Sequence, residues 1–190
     1  MDIRTTVALS AVVVTIAGWL INHILQSHRE LKAKKREALL QYTQKQLEEL
    51  YGPLAFLIIE GRRTFKDLLE VFGRKYVFVD DKPLSKEEFK IWMFWAENDF
   101  LPRNEKIKSL LMSKTHLIEG EEIPESYITF LDHCNSWQIN HLRWKKENVE
   151  YSWRSKIDWP KEFSKDVLDT FKTLRRRHAS LIFELKDRGL

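Results

Sequence analysis

The sequence has few of the residues that break or cross-link a chain. Its 190 residues include one cysteine, six glycines and five prolines. The single Cys134 excludes an intramolecular disulfide framework, and the scarcity of glycine and proline argues against a loop-rich or low-complexity scaffold. Hydrophobic residues make up 43% of the chain, which is too apolar for an intrinsically disordered protein. The composition therefore predicts a folded, mainly helical protein in a reducing compartment.

The sequence also lacks the motifs of common catalytic sites. No P-loop, GxGxxG, GxSxG or HExxH pattern occurs in it. The only thiol, Cys134, lies among apolar residues of a predicted helix, which favours a buried packing role over a nucleophile. His133 and His141 are about 80° apart around a helix, whereas zinc-binding histidines on one helix are three or four residues apart. We therefore predict a protein that is not an enzyme, with no metal site or cofactor.

Charged residues are absent from the first long apolar segment, Thr5–Leu25. As a helix rising about 1.5 Å per residue, this segment reaches about 30 Å, the hydrocarbon thickness of a bilayer. A cleaved signal peptide would have a shorter apolar region and small residues at its end, whereas this run ends in Ile24 and Leu25. The sequence therefore predicts an uncleaved transmembrane anchor at residues 1–25.

Basic residues follow the apolar segment rather than precede it. Arg4 stands alone before it, and the residues after it include Arg29, Lys32, Lys34, Lys35 and Arg36. The positive-inside rule then places the N-terminus outside and the C-terminal part in the cytoplasm. The same cations lie where anionic lipid headgroups would be, although a topology signal alone is sufficient to explain them.

Small or polar residues recur at spacings of three and four in the predicted anchor, at Ala8, Ala11, Thr15, Gly18 and Asn22. This spacing puts them on one helix face, where small residues allow membrane helices to approach closely. We expect this face to form a homo-oligomer, and a narrow polar path for ions is a further hypothesis. The alternative is that small residues are simply common in membrane helices.

The rest of the chain predicts an all-α fold. All five prolines fit helix starts, Ser85 and Glu88 form a capping-box pattern, and Gly73 is a helix stop signal. A final helix, at about 160–187, has a coiled-coil-like seam with spacings of four and three, at Val167, Phe171, Leu174, His178, Leu181 and Leu185. We predict a juxtamembrane helix at residues 26–52 and a cytosolic helical bundle at residues 53–190.

The net charge of +4 conceals two oppositely charged blocks. Residues 115–142 carry no basic and five acidic residues, whereas residues 143–190 carry 13 basic and eight acidic ones. Within the basic block, cations alternate with aromatic residues, a pattern that binds single-stranded nucleic acid through phosphates and stacked bases. The candidate ligand-binding residues are Arg143, Trp144, Lys145, Lys146, Trp153, Arg154, Arg175, Arg176 and Arg177. The alternative is that the tryptophans belong to the core and the cations to a solvated face.

Several segments resemble a group of bacterial single-pass membrane proteins without established activity. They are LYGPL, the FxPxNEK pattern that begins at Phe100, HLI at His116, and the DHCxSW pattern that begins at Asp132. The resemblance implies the same anchored helical fold in a bacterial inner membrane, and it carries no catalytic residues. The layout is also similar to oligomeric membrane effectors of bacterial anti-phage systems.

Two functional hypotheses follow from these patterns. The first is a non-enzymatic, oligomeric membrane effector, with a possible pore, whose cytosolic domain binds an anionic nucleotide or oligonucleotide. The alternative is a membrane-tethered adaptor or scaffold, whose helical bundle docks a cytosolic protein partner. Neither composition nor spacing decides between them.

Overall fold

The structure is a computed structural model that describes residues 3–78, 84–147, 149 and 158–186, without the side chains of residues 3–14, 185 and 186. Its α-helices are α1 (Ile3–Lys45), α2 (Gly52–Phe72), α3 (Lys86–Trp95), α4 (Leu101–Ser113), α5 (Glu125–Glu147) and α6 (Lys161–Lys186). Two π-helical segments, Gln46–Tyr51 and Ala96–Phe100, and a 3-10 turn, Thr115–Leu117, complete the elements. No strand occurs among the described residues, and the predicted all-α fold is confirmed.

The chain forms two compact units. One comprises Met1–Thr43 with Ser180–Leu190, and the other comprises Gln44–Ala179. In the first unit, Arg36 of α1 lies 3.7 Å from the Glu184 carboxylate of α6. The predicted boundaries after residues 25 and 52 stay predictions.

No helix in the described part of the chain combines the length and the apolar character needed to cross a membrane. The side chains of residues 3–14, which include Ala8 and Ala11 of the predicted packing face, lie outside that part. The predicted anchor therefore stays a prediction.

Each π-helical segment ends just before a proline. Pro53 is the second residue of α2 and Pro102 is the second residue of α4. The preceding residue closes the wide turn: the Gly52 N–H donates to the Leu47 carbonyl, and the Leu101 N–H donates to the Ala96 carbonyl. Proline cannot donate to the carbonyl four residues earlier, and its ring clashes with that carbonyl. A wider turn accommodates both effects, so the helical chain continues through Pro53.

Other helix ends follow the predicted signals. The Ser85 hydroxyl accepts from the Glu88 N–H and the Glu88 carboxylate accepts from the Ser85 N–H, so the capping box at α3 is confirmed. Gly73 ends α2 in a left-handed conformation with φ 61°, which glycine adopts without strain. Pro124 and Pro160 directly precede α5 and α6.

The unit of Gln44–Ala179 contains two hydrophobic clusters. The first includes Leu54 of α2, Ile107 of α4, Cys134 of α5 and the α6 residues Val167 and Leu174. Because Val167 and Leu174 are fully buried and Leu181 nearly so, the predicted seam of α6 is a packing face. Phe171 and His178 on the same seam are half-buried, and the side chain of Leu185 lies outside the described residues.

The second cluster is aromatic. Trp92 of α3 stacks on Trp137 of α5 with ring centroids 5.9 Å apart, and Phe100 lies 5.7 Å from Trp92. Phe78 meets Trp92 edge-on at 4.9 Å. Offset-stacked and edge-on pairs of aromatic rings stabilise a core by more than the burial of their surface area alone provides. The cluster fixes the second π-helical segment and α5 beside each other, and the C-terminal end of α5 carries the first part of the candidate site.

Candidate ligand-binding site

The basic residues at the end of α5 are exposed, and two of them are paired with carboxylates. Lys145 Nζ lies 2.7 Å from Glu97 Oε1, and Arg143 Nε lies 2.8 Å from Glu147 Oε2. Lys146 is exposed and has no ion pair with a carboxylate that the structure describes. An anionic ligand would compete with Glu97 and Glu147 for two of these three cations.

Trp144 is a packed aromatic residue. Its ring lies edge-on to Phe89 of α3 at 6.5 Å and 5.6 Å from the ring of His141, and it packs against the aromatic cluster while half-buried. Stacking on a nucleic-acid base needs a free ring face. The contacts of Trp144 favour the interpretation that it contributes to the core.

The remaining candidates lie either on α6 or among the residues that the structure does not describe. Trp153 and Arg154 belong to the latter group. On α6, the Arg175 guanidinium lies 5.7 Å from the centroid of the Phe171 ring, and Arg177 donates to Glu119 Oε1 at 2.6 Å. Arg176 is exposed and has no described ion pair. Of the seven placed candidates, Lys146 and Arg176 are the two cations without a described partner.

Glu119 is the centre of a polar cluster that sequence reasoning missed. The fully buried Gln46 donates to Glu119 Oε2 at 2.9 Å and to the Leu117 carbonyl at 3.0 Å. The Glu119 N–H donates to the Tyr51 hydroxyl, and Arg177 completes the set. Burial raises the pKa of Glu119, but hydrogen bonds from Arg177 and Gln46 outweigh it and leave the pKa below its ordinary value. Glu119 thus links the first π-helical segment to α6.

Glu97 on the second π-helical segment contacts two side chains of α5. Its Oε1 lies 3.3 Å from His141 Nε2 and 2.7 Å from Lys145 Nζ. Burial lowers the pKa of His141, an effect that Glu97 opposes and Lys145 reinforces. Since the pKa lies below its ordinary value, His141 is neutral at physiological pH. The contact is therefore a hydrogen-bonded packing site.

A buried arginine connects α2 and α4. Arg103 is 6% exposed, its guanidinium pairs with Asp99, and its Nε lies 3.5 Å from Glu60 Oε2. Gly61 faces this guanidinium, because an added Cβ there would lie 3.1 Å from Arg103 Nη1. Arg103 is the variable residue directly before NEK in the FxPxNEK pattern, and its ion pair with Asp99 is structural. No group of three or more potential metal ligands lies together in the described chain.

Cys134 is buried in the first hydrophobic cluster, as predicted. Burial raises the pKa of its thiol to about 12. A thiol with so high a pKa is a poor nucleophile at neutral pH. The neighbouring His133 is also buried and meets the rings of Trp137 and Trp159 edge-on.

The membrane-packing candidates that the structure places are exposed. Thr15, Gly18 and Asn22 are exposed residues of α1. A Cβ added at Gly18 would have no atom within 4 Å. These three positions are therefore exposed in the described part of the chain.

Comparison with protein-family models, with curated proteins and with solved structures finds no match. The resemblance to bacterial single-pass membrane proteins stays a prediction. Several residues that carry it, including Leu50, Asn104, His133 and Trp137, are buried. Packing accounts for these positions without a ligand.

Proposed function

We propose that this chain is a membrane-anchored, non-enzymatic adaptor whose helical part docks a cytosolic protein. The observation that carries the anchor is the N-terminal part of α1, where large apolar side chains are exposed to solvent: Ile16, Trp19, Leu20, Ile21, Ile24 and Leu25. At 100° per residue these six cover an arc of about 240°, far wider than the stripe of a helix packed on one side. A helix apolar on most faces requires an apolar environment, and the uncharged run Thr5–Leu25 is long enough to span one.

The orientation of this anchor follows from the cations after it. We place the N-terminus outside and the bundle in the cytoplasm of a bacterial inner membrane, because five basic residues follow Leu25 within eleven positions. The single buried thiol is compatible with a reducing cytoplasm.

Fractionation of cell membranes tests the anchor. Arginine near the centre of a membrane helix costs about 2.5–3.5 kcal/mol, so Val13→Arg with Ile16→Arg, at the middle of the run Thr5–Leu25, should release the protein from carbonate-washed membranes. Leu31→Arg with Leu39→Arg is the matched control, since both leucines are exposed on the same helix further from the apolar end. Wild type and control should remain in the membrane pellet. A wild-type protein in the supernatant would contradict the anchor.

Ion pairs within the candidate ligand-binding site favour the adaptor role over ligand sensing, because an anionic ligand would have to displace the carboxylates that hold the cations. Arg143, Lys145 and Arg177 are held by carboxylates, and Trp144 is packed. Large apolar side chains are instead exposed on the helices of the Gln44–Ala179 unit, with Phe56 of α2 79% exposed and Phe94, Met112 and Ile139 more than half exposed. The adaptor role requires that such side chains form a contiguous patch for the partner, since single exposed apolar residues are common on any protein surface.

Oligonucleotide affinity separates the adaptor from a nucleic-acid sensor. The adaptor account expects the full chain to bind a single-stranded oligonucleotide weakly, with no change on Lys146→Gln plus Arg176→Gln. A sensor would bind with an affinity that falls steeply with salt and drops in this variant. That second result would replace the adaptor role and leave the anchor in place.

An oligomeric effector is the second candidate, and one observation favours it. Thr15, Gly18 and Asn22 fall within an arc of about 60° that the six exposed apolar residues leave free. Gly18→Leu should therefore reduce the oligomer size in detergent, whereas Ala17→Leu, on the apolar side of the helix, should not. The same pair of variants tests membrane leakage in cells, as expected of a pore in an antiviral ion-channel effector. If both variants behave as wild type, the effector is wrong.

A further inference from the structure

Four basic side chains surround α1 directly after its exposed apolar end. They are Arg29, Lys32, Lys34 and Lys35, here called the basic collar, and all four are exposed. At 100° per residue they are distributed around the helix with no gap wider than about 140°. Such a distribution presents positive charge on all sides of the helix rather than to a single groove.

The acidic residues of the same segment do not neutralise the basic collar. Glu30 accepts a hydrogen bond from Gln26 at 3.0 Å, and Glu37 accepts one from Gln41 at 3.5 Å. Arg36, which follows the collar, is paired with Glu184. None of the four collar cations has an ion pair with a carboxylate in the described chain.

The basic collar begins in the headgroup layer of a bilayer and extends into the water just beyond that layer. Arg29 and Lys35 lie about 6 Å and about 15 Å beyond Leu25 along the axis, and the headgroup layer begins at the hydrocarbon edge and is about 5–8 Å thick. Side chains of a helix tilt toward its N-terminus, which here is the direction of the apolar end. The flexible stems of the lysines therefore carry their ammonium groups back toward that layer.

We propose that the basic collar binds the headgroups of anionic phospholipids on the cytoplasmic side of the membrane. The proposal rests on the proposed anchor and adds a ligand to it. Phosphate-bearing headgroups meet a helix from all sides, as the collar requires, and the attraction acts within about 10 Å of the surface. A single-stranded nucleic acid fits less well, because residues 20–41 contain no Phe, Tyr or Trp on which bases could stack.

The lipids that accompany the protein test this proposal. The full chain is extracted from membranes with its surrounding lipids in polymer-bounded discs, and the ratio of phosphatidylglycerol and cardiolipin to phosphatidylethanolamine is measured. We expect wild-type discs to be enriched in anionic lipid by about two-fold over the bulk membrane. Lys32→Gln, Lys34→Gln and Lys35→Gln together should abolish the enrichment. Lys106→Gln, Lys161→Gln and Lys165→Gln form the matched control, because these lysines are exposed on α4 and α6.

The outcomes separate the collar from the anchor. Wild-type discs with the composition of the bulk membrane would overturn the collar proposal and leave the anchor intact. Absence of the protein from the discs would overturn both. If the collar variant keeps its anionic lipids but loses affinity for an oligonucleotide, the collar binds nucleic acid and the lipid proposal is wrong.

Discussion

At the scale of single residues, the structure assigns packing or pairing to side chains that the sequence made candidates for chemistry. Cys134 was predicted to be buried from its apolar neighbours, and it is, because a small apolar residue there fills the contact between α5 and the first cluster. The partners of Lys145 and Arg177 were not predictable, because Glu97 and Glu119 come from segments distant in sequence. Charge pattern located the basic residues, whereas only the fold shows which of them are neutralised.

The burial of Cys134 predicts slow thiol chemistry. With a pKa of about 12 and little exposure, the thiol should react with a disulfide reagent at pH 8 far more slowly than a free cysteine. Addition of denaturant should release the thiol and restore the ordinary rate. The rate of absorbance change reports this directly, and a rapid stoichiometric reaction of the native protein would show that Cys134 is accessible.

The pairing of Glu119 predicts a pH-dependent contribution to stability. The pKa of Glu119 is lowered in the folded state, so its contribution is present above the unfolded-state value of 4.5 and is lost as pH falls through the folded-state value. Glu119→Gln should lower the melting temperature at pH 7 by up to about 4 °C, and the difference should shrink below pH 4.5.

Melting followed by circular dichroism in detergent measures this difference. The control is Glu121→Gln, an exposed residue of the same loop without a described ion pair. An equal effect of both variants, or an effect of Glu119→Gln that grows toward low pH, would contradict the assignment.

At the scale of elements, local signals predicted the ends of helices and missed their interruptions. The capping box at Ser85 and the left-handed Gly73 depend on a few neighbouring residues, so the sequence was sufficient. The π-helical segments depend on more. The sequence shows the proline in each case, but either a helix break or a widened turn can accommodate a proline. Tertiary contacts, such as the hydrogen bond from Gln46 to the Leu117 carbonyl, determine which of the two forms.

Gly52 is predicted to be essential for the first π-helical segment. A Cβ at this position would lie 2.5 Å from the Leu47 carbonyl oxygen, an atom of the backbone that cannot move without opening the turn. Gly52→Ala should destabilise the protein by about 1–3 kcal/mol, as overpacked sites do. Gly18→Ala, where an added Cβ meets no atom within 4 Å, should be neutral or slightly stabilising. Chemical denaturation of both variants provides the comparison, and a neutral Gly52→Ala would show that the wide turn is not required.

At the scale of the whole molecule, the protein is helical, with two compact units and exposed apolar side chains from Ile16 to Leu25 of α1. Composition and proline positions were sufficient to predict an all-α chain, because helix propensity and capping are local properties. They were not sufficient to predict that the boundaries between the two units fall within α1 and α6. The exposure of the large apolar side chains from Ile16 to Leu25 could not be predicted from the sequence, because it depends on which side chains the fold buries.

The central claim is that α1 crosses a membrane with the bundle in the cytoplasm, and labelling of single added cysteines tests it most directly. Asp2→Cys and Lys172→Cys are expressed separately, and intact spheroplasts are treated with a membrane-impermeant maleimide; wild type serves as the control because Cys134 is buried. The account predicts labelling of the cysteine at position 2 in intact spheroplasts, and labelling of the cysteine at position 172 only after lysis. Equal labelling of both positions before lysis, or of neither, would contradict it.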